Sequence, residues 1–100
     1  SFFQEPARNE AVAVAATSTV VAEARQEAQP RKTILIRNTS AGADIITVAL
    51  GLTQAAAEAG IVLKPGESFS DSTESGYMCF QGTITAISDL GAGQLSIMER

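Results

Sequence analysis

The sequence predicts an all-β protein, a small antiparallel β-sandwich or jelly-roll-like barrel with an extended N-terminal arm. Short runs of β-branched and aliphatic residues recur along the chain, and turn residues separate them at frequent intervals. The 100 residues fit one domain, and their hydrophobic content of 45% is ordinary for a globular protein. Because only 5% of the residues are aromatic, the core has to be built mainly from Val, Ile, Leu and Ala.

The first 30 residues are predicted to form an N-terminal arm that includes a possible first strand. Pro6 disfavours regular structure at its neighbour. Residues 8–17 mix Ala, which favours a helix, with Val, which favours a strand, so both conformations stay open there. We expect an extended arm that joins a first strand near residues 17–24. Pro30 closes the polar stretch that follows and marks a loop.

The sandwich domain is predicted to occupy residues 31–100. Its expected strands are apolar or alternating runs bounded by turn residues, and they cover residues 33–37, 44–50, 61–64, 67–70, 77–80, 83–87 and 94–98. Residues 53–60 differ, because Thr53 can cap a helix, the Ala residues favour one, and Gly60 suits its end. We therefore expect a short helical loop there. Several strands are apolar on both faces, so the arm or a second copy of the chain is expected to cover the second face.

The charge is unevenly distributed along the chain. Residues 1–32 carry four basic and four acidic side chains, whereas residues 33–100 carry three basic and seven acidic ones, which accounts for the net charge of −4. An acidic domain repels phosphate backbones, so no nucleic-acid partner is expected. No apolar run approaches the roughly 20 residues that span a bilayer, so no membrane partner is expected either.

The residue types indicate a protein that is not an enzyme and that has no metal or cofactor. The sequence contains no His, which is the usual general base and the commonest metal ligand. Cys79, the single cysteine, is flanked by apolar residues and is expected to be a buried, inert thiol. A solvated loop explains the acidic residues of 71–76 better than a calcium site does. The carboxylates that could form a hydrolytic pair, which are Glu67, Asp71, Glu74 and Asp89, all adjoin turn residues, so surface solubility explains them better.

Two of the five aromatic residues, Phe2 and Phe3, stand near the start of the sequence, outside any strand pattern. An exposed Phe pair is unfavourable in water unless it docks, and docking on the chain itself and docking on a partner both remain open. We predict that the arm binds a partner through Phe2, Phe3, Arg8, Val12 and Val14.

Residues 31–99 resemble small structural proteins of bacteriophage particles. The resemblance is carried by RKTILIRNTS at 31–40, GIVLKPGES at 60–68, GYMCFQGTITAISD at 76–89 and LSIME at 95–99. Such proteins are compact β-sandwiches that serve as capsid decoration or cement proteins, or as base modules of head fibres and spikes. The resemblance implies a virion structural protein on the capsid surface. Its implied partners are the major capsid protein and further copies of itself, as in a trimer or another homo-oligomer.

The alternative is a ligand- or glycan-binding module of a phage fibre or spike. The loops 53–60 and 71–76 would form the site of such a module, and Tyr77 and Phe80 are the nearby aromatic residues on which a sugar could stack.

Overall fold

The chain folds as two antiparallel four-stranded sheets packed face to face, in a computed structural model that describes residues 7–51 and 54–100. The predicted small β-sandwich is confirmed. The strands are β1 (Arg8–Val14), β2 (Thr19–Ala22), β3 (Thr33–Asn38), β4 (Ile46–Leu50), β5 (Ile61–Leu63), β6 (Ser68–Ser72), β7 (Ile84–Ser88) and β8 (Gly93–Glu99). The first sheet has the order β1-β8-β3-β6 and the second the order β2-β7-β4-β5. None of the described residues belongs to a helix that is long and apolar enough to cross a membrane.

The core between the sheets is aliphatic, as the low aromatic content predicts. Along β3, Ile34 and Ile36 alternate with Leu35 and Arg37, and only the two Ile side chains point into the core. Phe69 and Phe80 are only partly buried and pack at the margin of the core. The fully or nearly fully buried aliphatic side chains are Val14, Val21, Ala22, Ile34, Ile36, Ile46, Val48, Leu63, Ile84, Ala86, Leu95 and Ile97.

The extended N-terminal arm is not confirmed for the residues that the structure describes. Residues 8–14 form β1, which pairs with β8 in one unbroken register from Arg8–Glu99 to Val14–Gly93. Val14 is only 1% exposed and belongs to the core. The pairing with a distant apolar strand overrides the helix propensity of the Ala residues, so the ambiguous segment becomes a strand. The predicted strand near residues 17–24 is confirmed as β2, so the described sandwich includes residues before the predicted boundary at 31.

The predicted short helix at 53–60 is wrong for residues 54–60, and Thr53 lies outside the described residues. This segment contains turns joined by a bridge between Ala56 and Ala59. Two of its N–H groups donate to side-chain oxygens instead of forming helical hydrogen bonds: Ala55 donates to Ser18 Oγ at 2.7 Å, and Glu58 donates to Thr47 Oγ1 at 3.0 Å. The loop therefore lies against the outer face of the second sheet and buries Thr47 there.

The predicted strand at 77–80 is also wrong. The segment makes one isolated bridge, between Glu74 and Tyr77, and joins neither sheet. Two of its N–H groups donate to side chains of preceding residues: Cys79 donates to Thr73 Oγ1 at 3.1 Å and Phe80 donates to an Asp71 carboxylate oxygen at 3.0 Å. Side-chain acceptors of this kind compete with sheet ladders for main-chain donors.

Gly60 allows the chain to return closely past β4, and we predict that Gly60→Ala destabilises the protein. Its φ is +151°, and a Cβ at this position would lie 2.5 Å from the Val48 carbonyl oxygen. We expect a loss of about 1–3 kcal/mol in the free energy of unfolding, measured by urea denaturation followed by far-UV circular dichroism. Gly66→Ala is the matched control, since Gly66 has a φ of +89° but its Cβ would have no atom within 4 Å. Equal losses for the two variants would show that the close approach to Val48 contributes nothing.

Candidate interaction surface

The described strands leave four sheet edges, and three of these edge strands are shorter than the fourth. An edge strand exposes main-chain N–H and C=O groups that can pair with another strand, and short length, irregular register and loop cover are the usual protections. β5 has only three residues and is followed by Lys64 and Pro65. β2 has four residues and its register shifts between Val20 and Ala22. β6 has five residues and is followed by the segment 73–80, whose Phe80 N–H donates to the Asp71 carboxylate.

The fourth edge strand, β1, carries none of these protections. It has seven residues, its register with β8 is continuous, and its sequence RNEAVAV contains neither Pro nor Lys. Asn9, Glu10, Ala11 and Ala13 are exposed. We call the side of β1 that faces away from β8 the β1 edge. Among the described strands, it is the long edge that is open to a further strand.

Arg8 lies at the start of the β1 edge, but its charge is already engaged within the chain. Its guanidinium lies 2.6 Å from a Glu10 carboxylate oxygen and 3.1 Å from one of Glu99, and it also donates to the Val21 carbonyl at 3.1 Å. These contacts connect β1 to both β8 and β2. Arg8 therefore stabilises the contacts of β1 with β8 and β2, and its charge is not available to a partner.

Glu99 is the centre of this charged group, because three arginines surround its carboxylate. Arg31 Nε lies 2.6 Å from Oε2, Arg25 Nη1 lies 3.5 Å from the same oxygen, and Arg8 Nη1 lies 3.1 Å from Oε1. Burial alone would raise the pKa of Glu99. The hydrogen bond and charge of Arg31, with contributions from Arg8 and Arg25, outweigh burial and lower that pKa below its ordinary value.

Arg31 is only 1% exposed, and every nitrogen of its guanidinium donates a hydrogen bond. Besides the carboxylate of Glu99, it donates to the main-chain carbonyls of Glu23, Phe80 and Gly82. It therefore joins two loops, 23–32 and 73–83, to the end of β8. Sequence reasoning missed this group, although Glu99 carries a signal: it follows Leu95 and Ile97 at the period of two that points side chains into the core.

A cleft opens beside the β1 edge, between β1 and β2. Its volume is about 330 Å³, and Val20, at 48% exposed, is one of its apolar lining residues. The cleft is also lined by three members of the charged group described above, Arg8, Arg25 and Glu99. An open strand edge and an exposed apolar side chain thus lie on the same side of the sandwich.

The predicted partner-binding residues are placed differently from the expectation of a free arm. Phe2 and Phe3 lie outside the described residues. Arg8 is held by its ion pairs, Val12 is half-buried against the core, and Val14 is inside it. The structure therefore brings Arg8, Val12 and Val14 together on the core-facing side of one strand. The groups of β1 that remain available to a partner are therefore the main-chain N–H and C=O groups of its outer edge.

The loop 71–76 leads into the most exposed aromatic residue in the described part of the chain. Tyr77 is 55% exposed, and its hydroxyl donates to both carboxylate oxygens of Asp71, at 2.9 and 3.1 Å. This hydrogen bond raises the pKa of Tyr77. The next residue, Met78, is 62% exposed. The side-chain hydrogen bonds of the loop 54–60 connect it to Ser18 and Thr47 and not to this exposed ring.

Cys79 is buried, as predicted, and we expect it to resist thiol reagents in the folded protein. Its Sγ donates to the Arg31 carbonyl at 3.1 Å, and Thr73 Oγ1 lies 3.4 Å away. We expect labelling of the native protein by a maleimide to be at least about 100-fold slower than labelling in urea, because it requires opening of the segment around Cys79. Similar labelling rates in the two states would show that this segment does not shield the thiol from the reagent.

The described residues contain no group of three or more acidic, Cys or His side chains that could bind a metal.

Comparison with known proteins adds no family to this description. The chain matches no known protein family and no curated protein.

Proposed function

We propose that this chain is a virion structural protein that binds the exterior of a capsid and decorates or stabilises it. The observation that carries the proposal is the β1 edge, a seven-residue strand with an unbroken register and, among the described strands, no neighbour on its outer side. A strand of this kind gains affinity for another protein through main-chain hydrogen bonds. It directly follows the segment that contains Phe2 and Phe3, so an apolar anchor and a strand edge are adjacent in the chain.

The rest of the fold suits a module that is present in many copies. The segments that resemble phage structural proteins supply β3, β5, β7 and β8 together with their turns. In one of these turns, Glu67 donates its N–H to the Lys64 carbonyl at 2.9 Å across Pro65 and Gly66. A scaffold whose strands are joined through hydrogen-bonded turns of this kind loses little entropy on binding, and repeated attachment to one shell multiplies weak contacts.

The test is co-sedimentation with capsid shells of the encoding virus that lack this protein. The full chain is expected to pellet with the shells to saturation. A Phe2→Ser/Phe3→Ser double variant, which leaves β1 intact, is expected to bind at least about tenfold more weakly, because it loses the apolar anchor. A Tyr77→Ser variant is the matched control, since it removes an exposed aromatic residue far from β1 in the sequence, and it should bind like the unchanged chain. A full chain that never pellets with these shells would overturn the proposal.

A second candidate, a ligand- or glycan-binding module of a phage fibre or spike, is favoured by one observation. Tyr77 presents an exposed ring whose hydroxyl is fixed by the Asp71 carboxylate, and an aromatic face beside a carboxylate can stack on a sugar and accept its hydroxyl hydrogens. A glycan array probed with the unchanged chain and with Tyr77→Ala tests this function. Signals that disappear in the variant would support it, and an array without signals would remove it.

A further inference from the structure

We infer that β1 pairs with β1 of a second copy in an antiparallel arrangement, so that the first sheets of two molecules join into one continuous sheet. This inference goes beyond the proposed function, because it concerns the isolated protein and requires no shell.

The first step of the argument is that β1 is the edge best able to accept a strand. Of the four edges of the described sheets, β2, β5 and β6 have four, three and five residues, whereas β1 has seven and pairs with β8 in an unbroken register. An unprotected edge that met a different edge could add further molecules without limit, but pairing β1 with itself closes after two copies. The distribution of protected edges therefore favours a closed pair over an open chain of molecules.

The second step is the register of the pair. A two-fold axis at Ala11 places Ala11 opposite its own counterpart and Asn9 opposite Ala13, so that the exposed face carries small, uncharged side chains. On the other face the same register places Glu10 opposite Val12 and Arg8 opposite Val14. It uses all seven residues of β1 and opposes no like charges. An axis at Glu10 would instead place two glutamates directly opposite each other, which is unfavourable.

The third step is that the β1 edge has no net charge and lies near an exposed apolar side chain. Within each copy, Glu10 is already paired with Arg8, whose Nε and Nη2 atoms lie 2.8 and 2.6 Å from its carboxylate oxygen. The edge therefore presents no net charge to its counterpart. Val20 lies on the same side of the sandwich, in the second sheet. An axis perpendicular to the joined sheet brings the β2 edges of the two copies to face each other, so a second copy also reduces the exposure of Val20 to water.

The experiment measures the native mass of the full chain by light scattering on a sizing column and by sedimentation velocity. The unchanged chain is expected to have twice the monomer mass of 10.4 kDa. Ala11→Glu and Ala11→Lys each place like charges across the two-fold axis, and each is expected to weaken the dimer about fivefold or more. A mixture of the two variants is expected to restore the dimer, since Glu then faces Lys.

Ser96→Glu is the matched control for these variants. Ser96 is the β8 neighbour of Ala11 on the same exposed face, so it introduces the same charge one strand away from the edge. This variant is expected to remain a dimer, and the far-UV circular dichroism of all variants is expected to match that of the unchanged chain. The inference is overturned if the unchanged chain is a monomer at submillimolar concentration or forms a trimer. It is equally overturned if Ser96→Glu weakens the dimer as much as Ala11→Glu, or if the mixture fails to restore it. If a monomeric chain bound the capsid shells, the pairing of β1 strands would be wrong, but the proposed function would still be supported.

Discussion

Replacing Glu99 with Gln is expected to lower the free energy of unfolding by about 3–5 kcal/mol, because it leaves a buried guanidinium without its anion. Gln has nearly the same shape as Glu and can still accept a hydrogen bond from Arg31, so the loss reports the charge and not the packing. Arg31 cannot turn toward water in the folded chain, since its other N–H groups are held by main-chain carbonyls. Urea denaturation at neutral pH, followed by far-UV circular dichroism, measures the effect.

Glu10→Gln is the matched control for Glu99→Gln. Glu10 also pairs with Arg8, at 2.6 Å, but this pair is exposed, so its loss is expected to cost less than about 1 kcal/mol. If Glu99→Gln were no more destabilising than Glu10→Gln, the charged group would be a surface feature and not a structural one.

The same group makes stability depend on pH in acid. The pKa of Glu99 in the folded chain lies below its ordinary value of 4.5, so the folded state favours the ionised carboxylate. The resulting stabilisation is fully present above the pKa of the unfolded chain and is lost as the pH falls through the lower pKa of the folded chain. Unfolding free energies measured from neutral to acidic pH are therefore expected to fall more steeply for the unchanged chain than for Glu99→Gln. Parallel curves would contradict the lowered pKa.

Replacing Asn38 with Ala is expected to cost about 2–4 kcal/mol, because it leaves buried main-chain groups without partners. The Asn38 amide donates to the Asp44 carbonyl at 2.9 Å and to the Leu63 carbonyl at 2.8 Å, and its oxygen accepts from the Ser40 N–H at 3.0 Å. The side chain is completely buried. It therefore fixes the turn after β3 and connects it to the end of β5 in the other sheet.

Two further variants separate these hydrogen bonds from the loss of volume. Asn38→Asp keeps the size but cannot donate when ionised, so it is expected to be at least as destabilising as Asn38→Ala. Asn9→Ala removes an exposed amide from β1 and is expected to cost less than about 0.5 kcal/mol in the same urea experiment. An Asn38→Asp variant as stable as the unchanged chain would show that the two donated hydrogen bonds contribute little.

The strands of the sandwich could be predicted where the local pattern and the tertiary pairing agree. Residues 33–37 are an aliphatic run bounded by turn residues, and residues 94–98 place Leu95 and Ile97 at a period of two. Both segments became strands with one buried face. Residues 8–14 were ambiguous because Ala and Val favour different structures, and the pairing with β8, far away in the sequence, decided between them.

The two segments that were predicted incorrectly share a physical cause. In 54–60 and 77–80, main-chain N–H groups bond to side-chain oxygens of residues such as Thr47 and Asp71. Neither helix propensity nor strand propensity contains information about such acceptors, because they depend on which residues meet in the folded chain.

The candidate surface could not be predicted from the sequence, because it depends on the order of the strands in the sheet. The sequence indicates that β1 can be a strand, but whether it has a neighbour on each side is set by the whole sheet. For the same reason Arg8 looked available for a partner, although the fold places it between Glu10 and Glu99. Phe2 and Phe3 lie outside the described residues, and their binding role stays a prediction.

The position of β8 between β1 and β3 has a consequence for the order of events during synthesis. Translation delivers β1 first, yet the strand that pairs with it occupies residues 93–99. While the intervening residues emerge from the ribosome, β1 has two open edges and not one. The first sheet is thus completed only after nearly all the described residues have been translated, and the nascent chain must keep β1 from pairing wrongly until β8 arrives.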